Sequence, residues 1–329
     1  MDDQLAEALH LLRIGELVAF PTETVYGLGA DASNPQAVAK IFAAKGRPAD
    51  HPLIVHLADA AAIDDWAREV PIEARRLAAA FWPGPLTLIL KRSGRAPDAV
   101  TGGQDTVGLR VPRHPLALAL LAGFGGGIAA PSANRFGRIS PTTAAHVREE
   151  LGAAVALVLD GGPCAVGIES TIVDFSRGAP IVLRPGAITA SDIDAVIGAT
   201  TGQGGAVADP AAPPRVSGSL AAHYAPSAPL RLVAADGIKA AAAAALAEGR
   251  RVAVLARTLQ PFAATDLLWH DAPLAATGYA HELYATLRLL DASGADLILV
   301  EALPQEAAWQ AVADRLQRAA CGSGENDET

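Results

Sequence analysis

The stretch Phe20-Pro-Thr-Glu-Thr-Val-Tyr-Gly-Leu-Gly-Ala-Asp31 constrains this chain more than any other. The apolar run before it, Leu17-Val-Ala-Phe20, reads as the end of a buried strand. Pro21 stops ladder pairing, and Thr22, Glu23, Thr24 and Tyr26 then crowd hydroxyl and carboxyl groups together. Gly27 and Gly29 add the backbone freedom that a ligand-cradling loop needs. They come too late for a G-x-G-x-x-G fingerprint, and no helix opens on them. Alone, such a segment is a strand-to-loop turn whose hydroxyls bond their own backbone. It gains weight because later strand ends empty into polar residues in the same way.

A chain of 329 residues, 51% hydrophobic and 19% charged, can bury two cores and is expected to be globular. The net charge of -9 is shared by both halves, which argues against a general nucleic-acid or membrane-surface binder. Any anion site must be a local cluster. Cys164 and Cys321 lie far apart and outside any C-x-x-C, so two free thiols in a reducing compartment are expected. The N-terminus, with Leu5, Leu9 and Leu12 on one face and Glu7, His10 and Arg13 between them, reads as an amphipathic helix and not as a signal peptide. No apolar stretch reaches the length of a membrane span. The expected location is the cytoplasm.

Asn34-Pro35 reads as an N-cap with proline in the first turn, and Gly46 as the stop of that helix. Further helices are expected over 71–81, 115–121 and 142–151. Strands are expected at 52–56, 86–90, 106–111, 127–130, 155–159, 170–174 and 181–183. Residues 1–201 thus mix helices and strands around one sheet. Residues 202–229 are rich in Gly, Pro, Ala and Ser and read as a linker or a lid. Residues 230–322 alternate three strands (230–233, 251–255, 296–300) with helices, the pattern of a smaller, mostly parallel α/β domain. Residues 323–329 are expected to be a disordered tail.

Lys45-Gly46-Arg47 sets two cations at a helix C-terminus, where complementing the helix dipole at the surface would explain them. His51 and His56 flank a buried strand at the wrong spacing for a helical zinc pair, and no carboxylate or cysteine completes a metal set. Pro131-Ser-Ala-Asn-Arg-Phe-Gly-Arg-Ile-Ser140 gathers hydroxyls, an amide and two arginines at a strand end. Ser132 lacks a G-x-S-x-G setting or a nearby base, so it reads as a hydrogen-bonding group and not a nucleophile. Gly167-Ile-Glu-Ser-Thr171 and Arg184-Pro-Gly186 repeat the theme, and no Walker P-loop is present. Dispersed loops of this kind suit an anionic ligand held at many points.

In order along the chain, these motifs include Lys45-Gly-Arg-Pro with Pro52-Leu-Ile-Val-His56, Trp82-Pro-Gly-Pro-Leu-Thr87 and Gly108-Leu-Arg-Val-Pro112. Pro131-Ser-Ala-Asn134, Glu169-Ser-Thr-Ile-Val-Asp174, Leu183-Arg-Pro-Gly186 and His223-Tyr-Ala-Pro226 complete them. With the opening stretch they closely resemble the threonylcarbamoyl-AMP synthases, in the long form with a YrdC-like domain, a linker and a C-terminal domain. The resemblance implies a twisted mixed sheet with helices at 1–201 and a Rossmann-like α/β domain at 230–322. It also implies synthesis of threonylcarbamoyl-AMP and pyrophosphate from L-threonine, bicarbonate and ATP, with Mg²⁺ accompanying ATP. A partner complex would then carry the product to the tRNA adenosine beside the anticodon.

By the same resemblance, threonine is expected to meet Thr24, His56, Arg110, the backbone of Ala130, and Ser170. ATP is expected to meet Arg47, His51, Thr106, Ser132, Ser140, Arg184 and, from the linker, Tyr224. Lys45, Arg47, Ser132 and Asn134 match the family's Lys-x-Arg and Ser-x-Asn signature and form the expected catalytic set; no protein side chain is assigned to a metal. Two other readings compete. A hydrogenase-maturation carbamoyl-transfer protein would carry acylphosphatase-like and zinc-finger modules ahead of this domain. A double-stranded RNA or tRNA binder would use the same concavity without needing a threonine-sized pocket. The acidic balance leaves room for weak tRNA contact at most.

Overall fold

In the computed structural model, which describes residues 2–203, 214–218 and 220–323, alternation along the strands decides which layer each side chain faces. The chain forms two units, Met1–Phe136 with Ser140–Ser219, and Gly137–Ile139 with Leu220–Thr329. The first is built on one mixed sheet. Its strands are β1 (Val18–Phe20), β2 (Gly27–Asp31), β3 (Ile54–His56), β4 (Leu86–Lys91), β5 (Thr106–Arg110), β6 (Ile128–Ala129), β7 (Leu157–Val158), β8 (Thr171–Asp174), β9 (Ile181–Arg184) and β10 (Gly202–Gln203). They lie in the order β10-β9-β8-β4-β5-β3-β6-β2-β1-β7. The pairs β10–β9, β8–β4, β5–β3 and β1–β7 are parallel and the rest antiparallel.

On one face, Val55, Leu88, Leu109 and Val173 join the main core, together with helices Pro35–Lys45, Ile72–Phe81, Ala144–Leu151 and Ala190–Ile197. The other face is divided. Near β1 and β6, Val18, Phe20 and Ile128 pack with helices Asp2–Arg13 and Pro115–Phe124. Toward β3, β4 and β8, Ile54, Ile89 and Ile172 form a small cluster with Val216, and no helix contributes to it among the described residues. That part of the sheet carries the candidate site. Helix Pro35–Lys45 begins as its sequence predicts: Asn34 Oδ1 accepts from the backbone N–H of Gln36 and Ala37 at 3.0 and 3.2 Å. It ends at Gly46, whose φ of 61° suits a residue without Cβ.

The second unit holds four parallel strands, β11 (Leu230–Val233), β12 (Val252–Ala256), β13 (Leu267–Asp271) and β14 (Leu297–Glu301), in the order β11-β14-β12-β13. Helix Ile238–Ala247 packs on the face of Val252, Val254, Leu297 and Leu299. Ala253, Leu255, Ile298 and Val300 are buried on the opposite face, the side of helices Ala276–Ala292 and Gln310–Gly322. The sequence predicts three strands here; β13 is a fourth, and its half-exposed edge position blurs the alternation that would announce it.

The segment expected as a linker, 202–229, divides between the units. Residues 204–213 and the tail from 324 onward lie outside the described residues. Ser323, placed at the head of the expected tail, is buried, and its hydroxyl accepts from Leu230 N–H at 2.8 Å. Cys164 and Cys321 are free thiols, the first buried and the second exposed. No helix among the described residues is long and apolar enough to cross a membrane.

Candidate active site

Arg110 ends β5 beneath the surface, beside His56 of β3, with which it pairs in register. Its Nη2 lies 2.7 Å from Glu23 Oε1, and its Nε donates to the Gly84 carbonyl at 3.3 Å. Neither Nη2 nor Glu23 Oε1 has a partner at hydrogen-bonding angles, so the two attract as charges while donor capacity stays on the guanidinium. Glu23 Oε2 accepts from the Arg113 N–H at 2.9 Å. Burial, and then the Arg110 charge, push the His56 imidazole down to about 3, so it is neutral, and its buried Nδ1 has no partner. Thr22 donates its hydroxyl proton to the Val25 carbonyl at 2.7 Å. The Thr24 hydroxyl, 2.8 Å from Thr22 Oγ1, must then be the donor between them. Ala130 N–H is committed to the Ile54 carbonyl at 2.9 Å, so a ligand there would meet the Ala130 carbonyl. A guanidinium, a neutral imidazole and a hydroxyl are groups that suit a zwitterionic amino acid.

Lys45 is buried, and its ammonium donates to the Ser132 carbonyl at 2.6 Å and to that of Asn134. Lys45 is therefore not a surface helix terminus that merely complements the dipole: the 131–136 loop folds over it. Burial and then Arg47 push its pKa well below the usual lysine value, while Glu150 and Glu169 pull the other way. The Ser132 hydroxyl makes no hydrogen bond among the described residues, and Asn134 Nδ2 donates to the Arg135 carbonyl at 2.8 Å. Ser140 donates to Glu169 Oε1 at 2.6 Å. His51 sets its ring edge-on to Phe136, with centroids 5.4 Å apart. Burial, and then Arg47, lower its pKa.

Two buried arginines from distant elements converge on one residue. Arg47 Nη2 donates to Ser217 Oγ at 3.3 Å and to the Pro52 carbonyl at 3.0 Å. Arg184 Nη1 donates to the Ser217 carbonyl at 2.8 Å, while its Nε and Nη2 hold the Ser170 carbonyl and hydroxyl at 3.0 and 3.1 Å. Ser170 Oγ also lies 2.8 Å from Thr87 Oγ1. Val216, next in the chain, enters the Ile54–Ile89–Ile172 cluster. Thr106 and Gly108 line the cavity of about 10 Å³ that remains there. A Cβ at Gly108 would stand 3.2 Å from Ile89 Cδ1, so a larger residue there would push on that side chain. Thr106 and Arg110 lie four residues apart on β5, about 13 Å along the strand.

The comparisons with known proteins follow this geometry. Residues 10–186 match the family model described as "Telomere recombination" (Sua5_yciO_yrdC), and residues 188–321 match "Threonylcarbamoyl-AMP synthase, C-terminal domain". The threonylcarbamoyl-AMP synthase of Bacillus subtilis is 43% identical over 98% of this chain and 94% of its own. That of Pyrococcus abyssi is 40% identical over 95% and 92%. This chain belongs to the threonylcarbamoyl-AMP synthase family. Among solved structures, P. abyssi Sua5 complexed with L-threonine matches with a TM-score of 0.87, 39% identity, and coverage of 98% of this chain and 96% of that one.

For a threonylcarbamoyl-AMP synthase family member, sequence reasoning brought together most of the first unit's polar groups but overlooked three of their supports. Glu23 and Glu169 stand inside the quoted motifs yet were given no role; each is buried and holds a predicted site residue, Arg110 and Ser140. Two acidic residues flanked by hydroxyls at strand ends were the available signal. The segment 215–217 carried none, since its contacts are long-range. Tyr224, expected at the nucleotide, belongs to the second unit, where it is 1% exposed and packs between Tyr284 and Arg315.

Proposed function

We propose that this chain condenses L-threonine, bicarbonate and ATP to threonylcarbamoyl-AMP and pyrophosphate. The convergence of the two buried arginines Arg47 and Arg184 on Ser217 supports this reading most directly. Arg110 then offers a carboxylate clamp, and Arg47 with Arg184 a polyphosphate clamp. Three anions meet in the reaction and repel one another unless cations stand between them.

Arg110, whose charge Glu23 offsets on one side, takes the threonine carboxylate. Neutral His56, and the Thr24 hydroxyl, which gives its proton to Thr22 and can still accept, offer polar contacts without adding charge. The threonine ammonium gives up a proton to solvent; the free amine then adds to the carbon of bicarbonate, releasing water, or to CO₂, releasing a second proton to solvent, and gives the carbamate. A carbamate oxygen attacks the α-phosphorus, and the bond to pyrophosphate breaks in line. Lys45, Arg47 and Arg184 offset the charge of the phosphates; Ser132 and Thr106 offer hydroxyls. No covalent enzyme intermediate is required. Among the described residues, no group of three His, Cys, Asp or Glu comes together to cage a metal. Mg²⁺ bound with ATP would neutralise phosphate charge.

The product is a mixed anhydride that a tRNA-modifying complex would consume. The test is pyrophosphate release with each substrate omitted in turn. Release should require both threonine and bicarbonate, and equal turnover without threonine overturns the reading.

A further inference from the structure

The second unit has polar groups that the reaction above does not use. In its sheet, β12 and β14 are neighbours, with Leu255 paired to Val300, so Arg257 and Thr258 emerge beside Glu301 at the carboxyl ends. The chain leaves the two strands toward opposite faces. After β12, Leu259 and Phe262 pack with the core of helix Ile238–Ala247. After β14, it enters helix Gln310–Gly322. Adjacent parallel strands whose connections diverge open a crevice at their carboxyl ends, the place where open α/β sheets take ligands.

The groups around that crevice are unequally satisfied. Glu301 is buried, and both its oxygens are engaged. Oε2 accepts from the backbone N–H of Arg257 and Thr258 at 2.6 and 2.8 Å, and Oε1 from the Thr258 hydroxyl. Burial alone would raise its pKa, but these donors outweigh burial and hold it ionised. The Arg257 guanidinium lies 5.0 Å over the Trp309 ring, and among the described residues its side chain has no hydrogen-bond acceptor and makes no ion pair, although its charge is felt by Glu301. Tyr279, 2% exposed and edge-on to the same ring at 5.6 Å, has a buried hydroxyl with no partner. A buried hydroxyl left so costs on the order of 1–3 kcal/mol. A guanidinium fixed on an indole with its donors unused is equally conspicuous beside a carboxylate that is already saturated. The guanidinium can only donate and the hydroxyl can donate as well, so one acceptor would serve both.

We propose that the crevice between the carboxyl ends of β12 and β14 binds a small oxyanion, a phosphate or carboxylate group, through Arg257 with Tyr279 beneath it. This site is separate from the reaction groove and takes no part in the chemistry. Trp309 holds the guanidinium flat, and the backbone and Thr258 donors engage both Glu301 oxygens, so that the Arg257 side chain is left to the ligand.

The probes are inorganic phosphate, AMP and acetate, each measured by equilibrium dialysis on the full chain. Wild type should show two classes of phosphate site. Arg257→Gln should weaken one at least about tenfold and leave threonine-dependent pyrophosphate release unchanged. Arg47→Ala should remove the other class. Tyr279→Phe, which keeps the ring, should weaken the same class as Arg257→Gln at an unchanged melting temperature; it decides the matter should Arg257→Gln fail to fold. Binding of phosphate and AMP but not acetate assigns the site to phosphoryl groups, and binding of acetate alone assigns it to carboxylates. If Arg257→Gln and Tyr279→Phe bind all three probes as wild type does, or if no probe binds beyond the class that Arg47→Ala removes, the site does not exist.

Discussion

Arg110 and Glu23 approach to 2.7 Å with both side chains almost fully buried, yet the contact lacks hydrogen-bond geometry. A pair held by charge alone leaves the guanidinium fork turned to other uses. The carboxylate stops Arg110 from being a lone buried cation, which would cost several kcal/mol. Glu23 is therefore a positioning residue for the threonine end of the groove.

Glu23→Gln should raise the KM for threonine about 10-fold to 100-fold while changing the KM for ATP little. Stability should fall by up to roughly 3 kcal/mol, because Arg110 loses its counter-charge. Steady-state kinetics in both substrates and a urea titration measure the two effects. Equal changes in both KM values would mean that Glu23 acts on the whole groove.

Lys45→Ala should cost activity and stability together. Truncation leaves the carbonyls of Ser132 and Asn134 without their donor, at about 1–3 kcal/mol. Loss of the charge should cut turnover by about 10²–10³. A urea midpoint equal to wild type would show that the two carbonyl contacts contribute nothing.

The framework of the first unit was legible because it is local. Asn34, Pro35 and Gly46 bound a helix through their own backbone chemistry, and period-two alternation put Arg110 and His56 on one face of adjacent strands. What escaped was non-local. Nothing near Lys45 in sequence announces that residues 132 and 134 bury it, and nothing near Val216 announces Ile54, Ile89 and Ile172. Strand β13 escaped for another reason: one side of it is solvated, so its Leu-Leu-Trp-His-Asp sequence carries no clean period.

Acid should destabilise the fold through His56. Its folded pKa of about 3 lies below the ordinary 6.5, so between those values the unfolded chain binds a proton that the folded chain does not. Stability therefore falls as pH drops below about 6.5, at up to about 1.4 kcal/mol per pH unit, and the loss saturates near about 3. The window from about 6.5 to about 5 is the informative one, since most carboxylates titrate lower. His56→Gln should flatten the slope there, and an unchanged slope would assign it to another group.

Val216→Ala should lower the KM for ATP. Val216 fills the apolar floor, and Ser217 occupies both Arg47 and Arg184, so phosphates must compete with this segment. Removing two methyl groups weakens its docking by about 1.5 kcal/mol, roughly tenfold in the competition at most. A KM for ATP that rises instead would mean that Val216 contacts the nucleotide and does not obstruct it.

Tyr224 separates a packing role from a role at the nucleotide. It is 1% exposed, with the Arg315 guanidinium 5.5 Å over its ring and Tyr284 5.6 Å away. Its φ of 62° is unusual for a side chain of that size and is held there by its surroundings. Truncating a buried aromatic leaves a cavity worth about 3–5 kcal/mol, and alanine at positive φ recovers none of it. Tyr224→Ala should therefore melt at least about 5 °C below wild type. A residue acting only as a cover over ATP would leave melting unchanged and reduce product yield. Tyr224→Phe completes the comparison, because it keeps the packing and removes the hydroxyl. Wild-type melting and wild-type product yield in that variant would confine Tyr224 to packing. Wild-type melting with a lower yield and a higher ATP requirement would give its hydroxyl a part in the reaction.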